Sequence, residues 1–137
     1  MKVILSILFV AIFSIFGNAQ NRSIEFIDND FDKAKNAAKT QGKLIFVDAY
    51  TTWCGPCKWM AANKFTNDTI ADFYNRNFIS LKMDMEKGEG IELAKKYNVK
   101  AYPTLLFLDA EGNIVHRTVG AERNTRNYID KGLDALN

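Results

Sequence analysis

Cys54 and Cys57 are the only cysteines among 137 residues, and they lie in the run Thr52-Trp53-Cys54-Gly55-Pro56-Cys57-Lys58. Two thiols separated by two residues can close a small disulfide and reopen it. That suffices to pass two electrons between proteins by thiol–disulfide exchange. Two other uses of the pair compete. As a structural staple it is weak, because the loop it closes is tiny and small loops stabilise least. As a clip for a soft ion such as Cu(I) it lacks a third ligand, since no Met or His stands at a spacing that demands one.

The elements around the pair can be read from pattern. Leu44-Ile45-Phe46-Val47 is a continuous apolar run, as in a strand buried on both faces. The cysteine motif follows it directly and should open a helix through Trp59, Met60 and Phe65. Thr66-Asn67-Asp68 interrupts that helix and can cap a further stretch from Ile70 to Tyr74. Upstream, Ser23 to Ile27 reads as a short first strand, and Asn29 or Asp30 can cap a helix that Gly42 stops. Downstream come a strand at 78–84, a helix from Ile91 to Tyr97, and strands at 104–108 and 114–119 around the turn Glu111-Gly112-Asn113. A last helix, Thr125 to Leu136, carries Tyr128, Ile129, Leu133 and Leu136 at helical spacing. The predicted order β-α-β-α-β-α-β-β-α is an α/β fold: a central mixed sheet flanked by helices, ending in an antiparallel hairpin. In such folds chemistry sits where a buried strand ends and a helix begins.

The first residues read as a leader. Met1-Lys2 is followed by an almost wholly apolar stretch from Val3 to Phe16, then Gly17-Asn18-Ala19. This is the pattern of a secretory signal peptide over 1–19, cleaved after Ala19, which leaves one domain over 20–137. An uncleaved membrane anchor is the competing reading of the same segment. The 18 lysines and arginines, one of them Lys2, nearly balance 16 acidic residues, and no basic block points to nucleic acid. Export sets the pair in an oxidising compartment, expected to be the periplasm.

Four elements in order resemble the thioredoxin superfamily: the motif from Trp53 to Lys58, Asp48 six residues before Cys54, Tyr102-Pro103-Thr104, and Val119-Gly120-Ala121. The likeness spans about residues 23–136. It implies the thioredoxin fold and an exported thiol–disulfide oxidoreductase, with no cofactor beyond the Cys54–Cys57 disulfide and no metal. It also implies a cis peptide bond before Pro103, across from Cys54, which exposes the Tyr102 backbone to a substrate. On the residues themselves, Cys54 at a helix N-terminus is the nucleophile, its thiolate favoured by free N–H groups and the helix dipole. Cys57, one turn in, resolves the mixed disulfide. Gly55 lets a partner's backbone approach, and Pro56 fits the first helical turn. Asp48, a charge at the end of an apolar strand, should have a raised pKa and accept the Cys57 proton. Trp53 packs over the helix start and forms a contact face; Tyr50 either borders that face or packs into the core.

Gly-Pro between the cysteines implies the reducing direction, towards protein disulfides in the cell envelope, which requires a membrane electron donor; one open edge near Pro103 suggests a monomer that meets partners transiently. An isomerase or oxidant role and a copper chaperone are the alternatives. The chain departs from the family at Ala62, where thioredoxins usually have proline, and at Ser80, where many carry a lysine near the buried acid. Lys82 shares the face of Ser80 and can substitute. Gly88-Glu89-Gly90 lengthens the following segment. His116, the only histidine, is expected to be exposed and uninvolved, and Met60, Met83 and Met85 to fill the core.

Overall fold

The computed structural model describes residues 22–137. The leader at 1–19 lies outside the described residues. Ten elements follow in order: β1 (Phe26–Asp28), α1 (Phe31–Gln41), β2 (Leu44–Tyr50), α2 (Gly55–Asn63), α3 (Asp68–Asn77), β3 (Phe78–Asp84), α4 (Gly90–Lys96), β4 (Thr104–Leu108), β5 (Ile114–Val119) and α5 (Thr125–Leu136). The strands form one sheet in the order β1-β3-β2-β4-β5. β1, β3 and β2 run parallel, while β4 and β5 pair antiparallel. The predicted α/β architecture and its closing hairpin are thus the observed ones.

β2 is the middle strand and alternates between two cores. Ile45, Val47 and Ala49 pack under α1 and α4, with Phe31, Ala38, Leu93 and Tyr97. Phe46 faces the other way, towards α2, α3 and α5, among Met60, Phe65, Ile70, Tyr74, Phe107 and Tyr128. Asp48, two residues beyond Phe46, shares its face by the two-residue period of a strand. The register sets Asp48 opposite Lys82 on β3 and opposite Leu105 on β4. Met60, Met83 and Met85 are all buried, as expected.

Helix ends follow their capping residues. The Asp30 side chain accepts from the Lys33 N–H, and Gly42 closes α1 in the left-handed conformation at φ 63. The Asn67 side chain caps α3 at Ile70, and this cap is what separates α3 from α2.

Three expectations need correction. β1 runs over Phe26–Asp28 rather than from Ser23. Ile24 is buried, but its N–H donates to the Phe65 carbonyl instead of to a strand. On α5 the inward face is Tyr128, Lys131, Gly132 and Ala135, whereas Leu133 and Leu136 are exposed. Gly132 turns that face inward, because a Cβ there would lie 2.3 Å from Phe73 Cε1. The buried Lys131 is tolerated because its ammonium pairs with Glu122 Oε1 at 2.7 Å. His116 is half-buried, its ring 5.8 Å from that of Phe107.

Candidate functional site

β2 runs directly into the cysteine motif. Cys54 is the N-cap of α2 in extended backbone, and its sulfur accepts a hydrogen bond from the Cys57 N–H at 3.1 Å. Gly55 and Pro56 are the first two helical residues, a place where the missing proline N–H costs nothing. The unpaired N–H groups and the positive end of the helix dipole therefore face the Cys54 sulfur, an arrangement that favours its anion. Cys54 and Cys57 are joined in a disulfide with their Cα atoms 5.3 Å apart. Both are buried, at 2% and 3% exposure. A Cβ built on Gly55 would meet nothing within 4 Å. The glycine leaves open space in front of the helix; internal packing does not require it.

Asp48 is fully buried, and neither carboxylate oxygen has a hydrogen-bond partner among the described residues. Burial pushes its carboxyl up to about 7, against an opposing pull from Lys82. The Lys82 ammonium lies 3.9 Å from Asp48 Oδ2 and 4.8 Å from the centroid of the Tyr50 ring. Lys82 thus supplies a cation beside the buried acid, and the Ser80 hydroxyl is left buried and without a partner among the described residues. Cys57, Lys82, Tyr50 and Ala62 line one cavity of about 490 Å³. Cys57 and Lys82, the lysine that approaches Asp48, thus border the same space.

The Tyr102–Pro103 peptide is cis. The Pro103 carbonyl accepts from the Gly120 N–H at 2.8 Å, so Gly120, at φ 95, braces that turn from the end of β5. Trp53 connects this turn to the motif. Its ring stands edge-on to Tyr102 with centroids 6.0 Å apart, and two-thirds of the residue remains exposed. Its indole N–H donates to Glu86. Glu86 went unrecognised in the sequence. It lies in the connection from β3 to α4, where no spacing rule links it to Trp53. Gly90 sets the path of that connection, since a Cβ there would fall 1.8 Å from the Asp84 carbonyl oxygen. Among the described residues no group of three His, Cys, Asp or Glu side chains could hold a metal ion.

A Cys-x-x-Cys disulfide at the start of a helix, fed by the central strand of a mixed five-stranded sheet, with a buried acid and a cis-proline turn, defines a thiol–disulfide oxidoreductase. Comparison with known proteins agrees: the chain belongs to the thioredoxin-like family, whose model matches residues 26–110. It is 42% identical over 107 residues to thioredoxin-1 of Drosophila melanogaster, covering 78% of this chain and 94% of that one. A Bacteroides thetaiotaomicron protein, provisionally designated a disulphide-isomerase, has a solution structure that superposes with a TM-score of 0.74. It shares 49% identity, over 85% of this chain and 96% of its own. The thiol:disulfide interchange protein DsbD of Yersinia pestis is 30% identical over 105 residues, 71% of this chain and 17% of that longer protein.

Proposed function

We propose that this oxidoreductase is exported, monomeric, and reduces disulfides of proteins in the cell envelope, its own thiols being replenished by a membrane electron donor. The Cys54 thiolate attacks one sulfur of the partner's disulfide. A bond forms between the two sulfurs, the partner's S–S bond breaks, and one partner thiolate leaves. Cys57 then gives its proton to the Asp48 carboxylate and attacks Cys54 Sγ. The mixed disulfide breaks, the second partner thiolate leaves, and the Cys54–Cys57 disulfide closes. The partner has gained two electrons and this chain has lost them. Trp53, Tyr102 and Pro103 form the face against which the partner lies, and Gly55 and Pro56 leave room for it.

The observation that carries this reading is Asp48. A carboxyl held at about 7 by burial is matched to proton transfer near neutral pH, and its lysine lines the cavity that Cys57 lines. Gly55-Pro56 supports the reducing direction: thioredoxin, with that dipeptide, has a potential of about −270 mV, against about −120 mV for a strong periplasmic oxidant. The apolar segment before Gln20 supports export.

Trapping tests the exchange. With Cys57→Ala no resolving thiol remains, so mixed disulfides on Cys54 should accumulate with envelope proteins. A cell in which none form would overturn the assignment of substrates. A measured potential above about −180 mV would overturn the reducing direction. N-terminal sequencing of the mature protein should begin at Gln20. An isomerase role is the second reading, favoured by the Bacteroides likeness. Rapid refolding of a scrambled disulfide protein, with no net reduction, would select it.

A further inference from the structure

Beside the cysteine pair lies a hollow of about 240 Å³ formed by Pro56, Trp59, Ala121 and Arg123. Pro56 lies between the two cysteines, and Trp59 is one turn further along the same face of α2, three residues on. The hollow therefore adjoins the cysteine motif, within reach of residues that flank a disulfide bonded to Cys54. Its volume is several times the ~30 Å³ share of one water, enough for a side chain.

The hollow is aromatic and cationic. Trp59 keeps 37% of its surface exposed. The Lys64 ammonium stands 5.7 Å from the Trp59 ring centroid. Arg123 is exposed, and no carboxylate pairs with it among the described residues. The adjacent acid, Glu122, is drawn away by Lys131 at 2.7 Å and by the Asn127 amide. At Trp53 the sign is opposite: Glu86 is exposed and accepts from its indole N–H. The exchange face thus carries charges of both signs, an anion held at Trp53 and an unpaired guanidinium that lines the hollow with Trp59.

We propose that the Pro56–Trp59–Ala121–Arg123 hollow is a subsite for an acidic side chain flanking the partner's disulfide. The guanidinium takes the carboxylate, with a fork geometry suited to two parallel hydrogen bonds. Trp59 covers the aliphatic stem. The subsite sets which protein disulfides are exchanged fastest, and it rests on the exchange reading above.

The test uses the mature chain and three disulfide peptides that differ only in the residue flanking the cysteine: Glu, Lys or Gly. The expected result is a kcat/KM ratio of Glu over Lys of about ten at low salt, collapsing towards one at high salt as screening requires. Arg123→Glu should invert the ratio, and Trp59→Ala should lower it. A ratio within about twofold of one in the native chain at low salt, where such steering is strongest, overturns the subsite. So does a Glu preference that survives Arg123→Glu. Turnover of the Gly peptide reports exchange itself: with it intact a flat ratio counts against the subsite alone, and without it the exchange reading fails as well.

Discussion

Lys82 and Asp48 face each other across neighbouring parallel strands, with the ammonium 3.9 Å from a carboxylate oxygen and the acid buried while the lysine reaches water. The pair is unequal. Burial raises the acid further than the lysine lowers it, so its carboxyl titrates at about 7.

That imbalance makes stability depend on pH. The folded chain holds the Asp48 proton up to about 7, while the unfolded chain releases it near 3.8. Between those values the folded state binds more protons, so the contribution is full below the lower value and lost as pH rises through the upper one. Asp48→Asn cannot titrate. Denaturant unfolding should show the native chain losing about 3–4 kcal/mol relative to this variant between pH 4 and pH 8. A gap that does not move with pH would show that Asp48 is not the group that titrates.

Lys82→Met removes the one charge that pulls Asp48 down. The carboxyl midpoint should rise above its native value, and the pH profile of exchange should move upward with it. Infrared titration of the carboxyl band reads the midpoint directly. Lys82→Arg, which keeps the charge, should restore the native profile. Unchanged midpoints in Lys82→Met would show that the 3.9 Å approach carries no electrostatic weight.

Glu86 positions Trp53 through the indole N–H. Glu86→Gln retains an acceptor there and Glu86→Leu does not. The leucine variant should lower kcat/KM on a protein disulfide by about tenfold, the scale expected when a contact residue loses its orientation. Trp53 emission and its quenching by the disulfide should change in parallel. The glutamine variant should stay near the native chain in both measurements.

Gly90 and Gly132 are both closed to a side chain, but their neighbours differ. At Gly90 the obstacle is the backbone carbonyl of Asp84, 1.8 Å from a built Cβ. At Gly132 it is the Phe73 ring at 2.3 Å. A ring can turn aside more cheaply than a backbone can move. Gly90→Ala should cost about 2–4 kcal/mol and Gly132→Ala about 1–2 kcal/mol, the latter offset in part by alanine's better helix propensity. Chemical denaturation of the two variants settles the order.

Local chemistry made much of this legible in the sequence. Asp30 and Gly42 bracket α1 because a side-chain acceptor and a left-handed residue act within a few positions. The strand that begins at Leu44 shows as an apolar run over 44–47 because both of its faces are covered. Lys82 could be considered for Asp48 because the resemblance puts a lysine near the acid at position 80 and parity along the strand gives Lys82 the same face. What stayed hidden depends on distant pieces meeting. The α5 face could not be read from its leucines, since Gly132 matters only once Phe73 of α3 lies against it. Glu86 reaches Trp53 only through the path of a connection that Gly90 shapes. Arg123 gains its interest from the company of Trp59, 64 positions earlier in the chain.

β2 carries Asp48 and delivers the cysteines, and it is hydrogen-bonded on both sides as the third of five strands. A central strand is released only when the whole domain opens, whereas edges fray at little cost. The catalytic centre is therefore mounted on the last part of the molecule to let go. On heating, enzymatic activity and tertiary structure should vanish in a single step, so an activity assay doubles as a thermometer of global unfolding. Hydrogen exchange should find the amides of Phe46 and Val47 among the slowest in the domain, with wear confined to β1 and β5 at the rims.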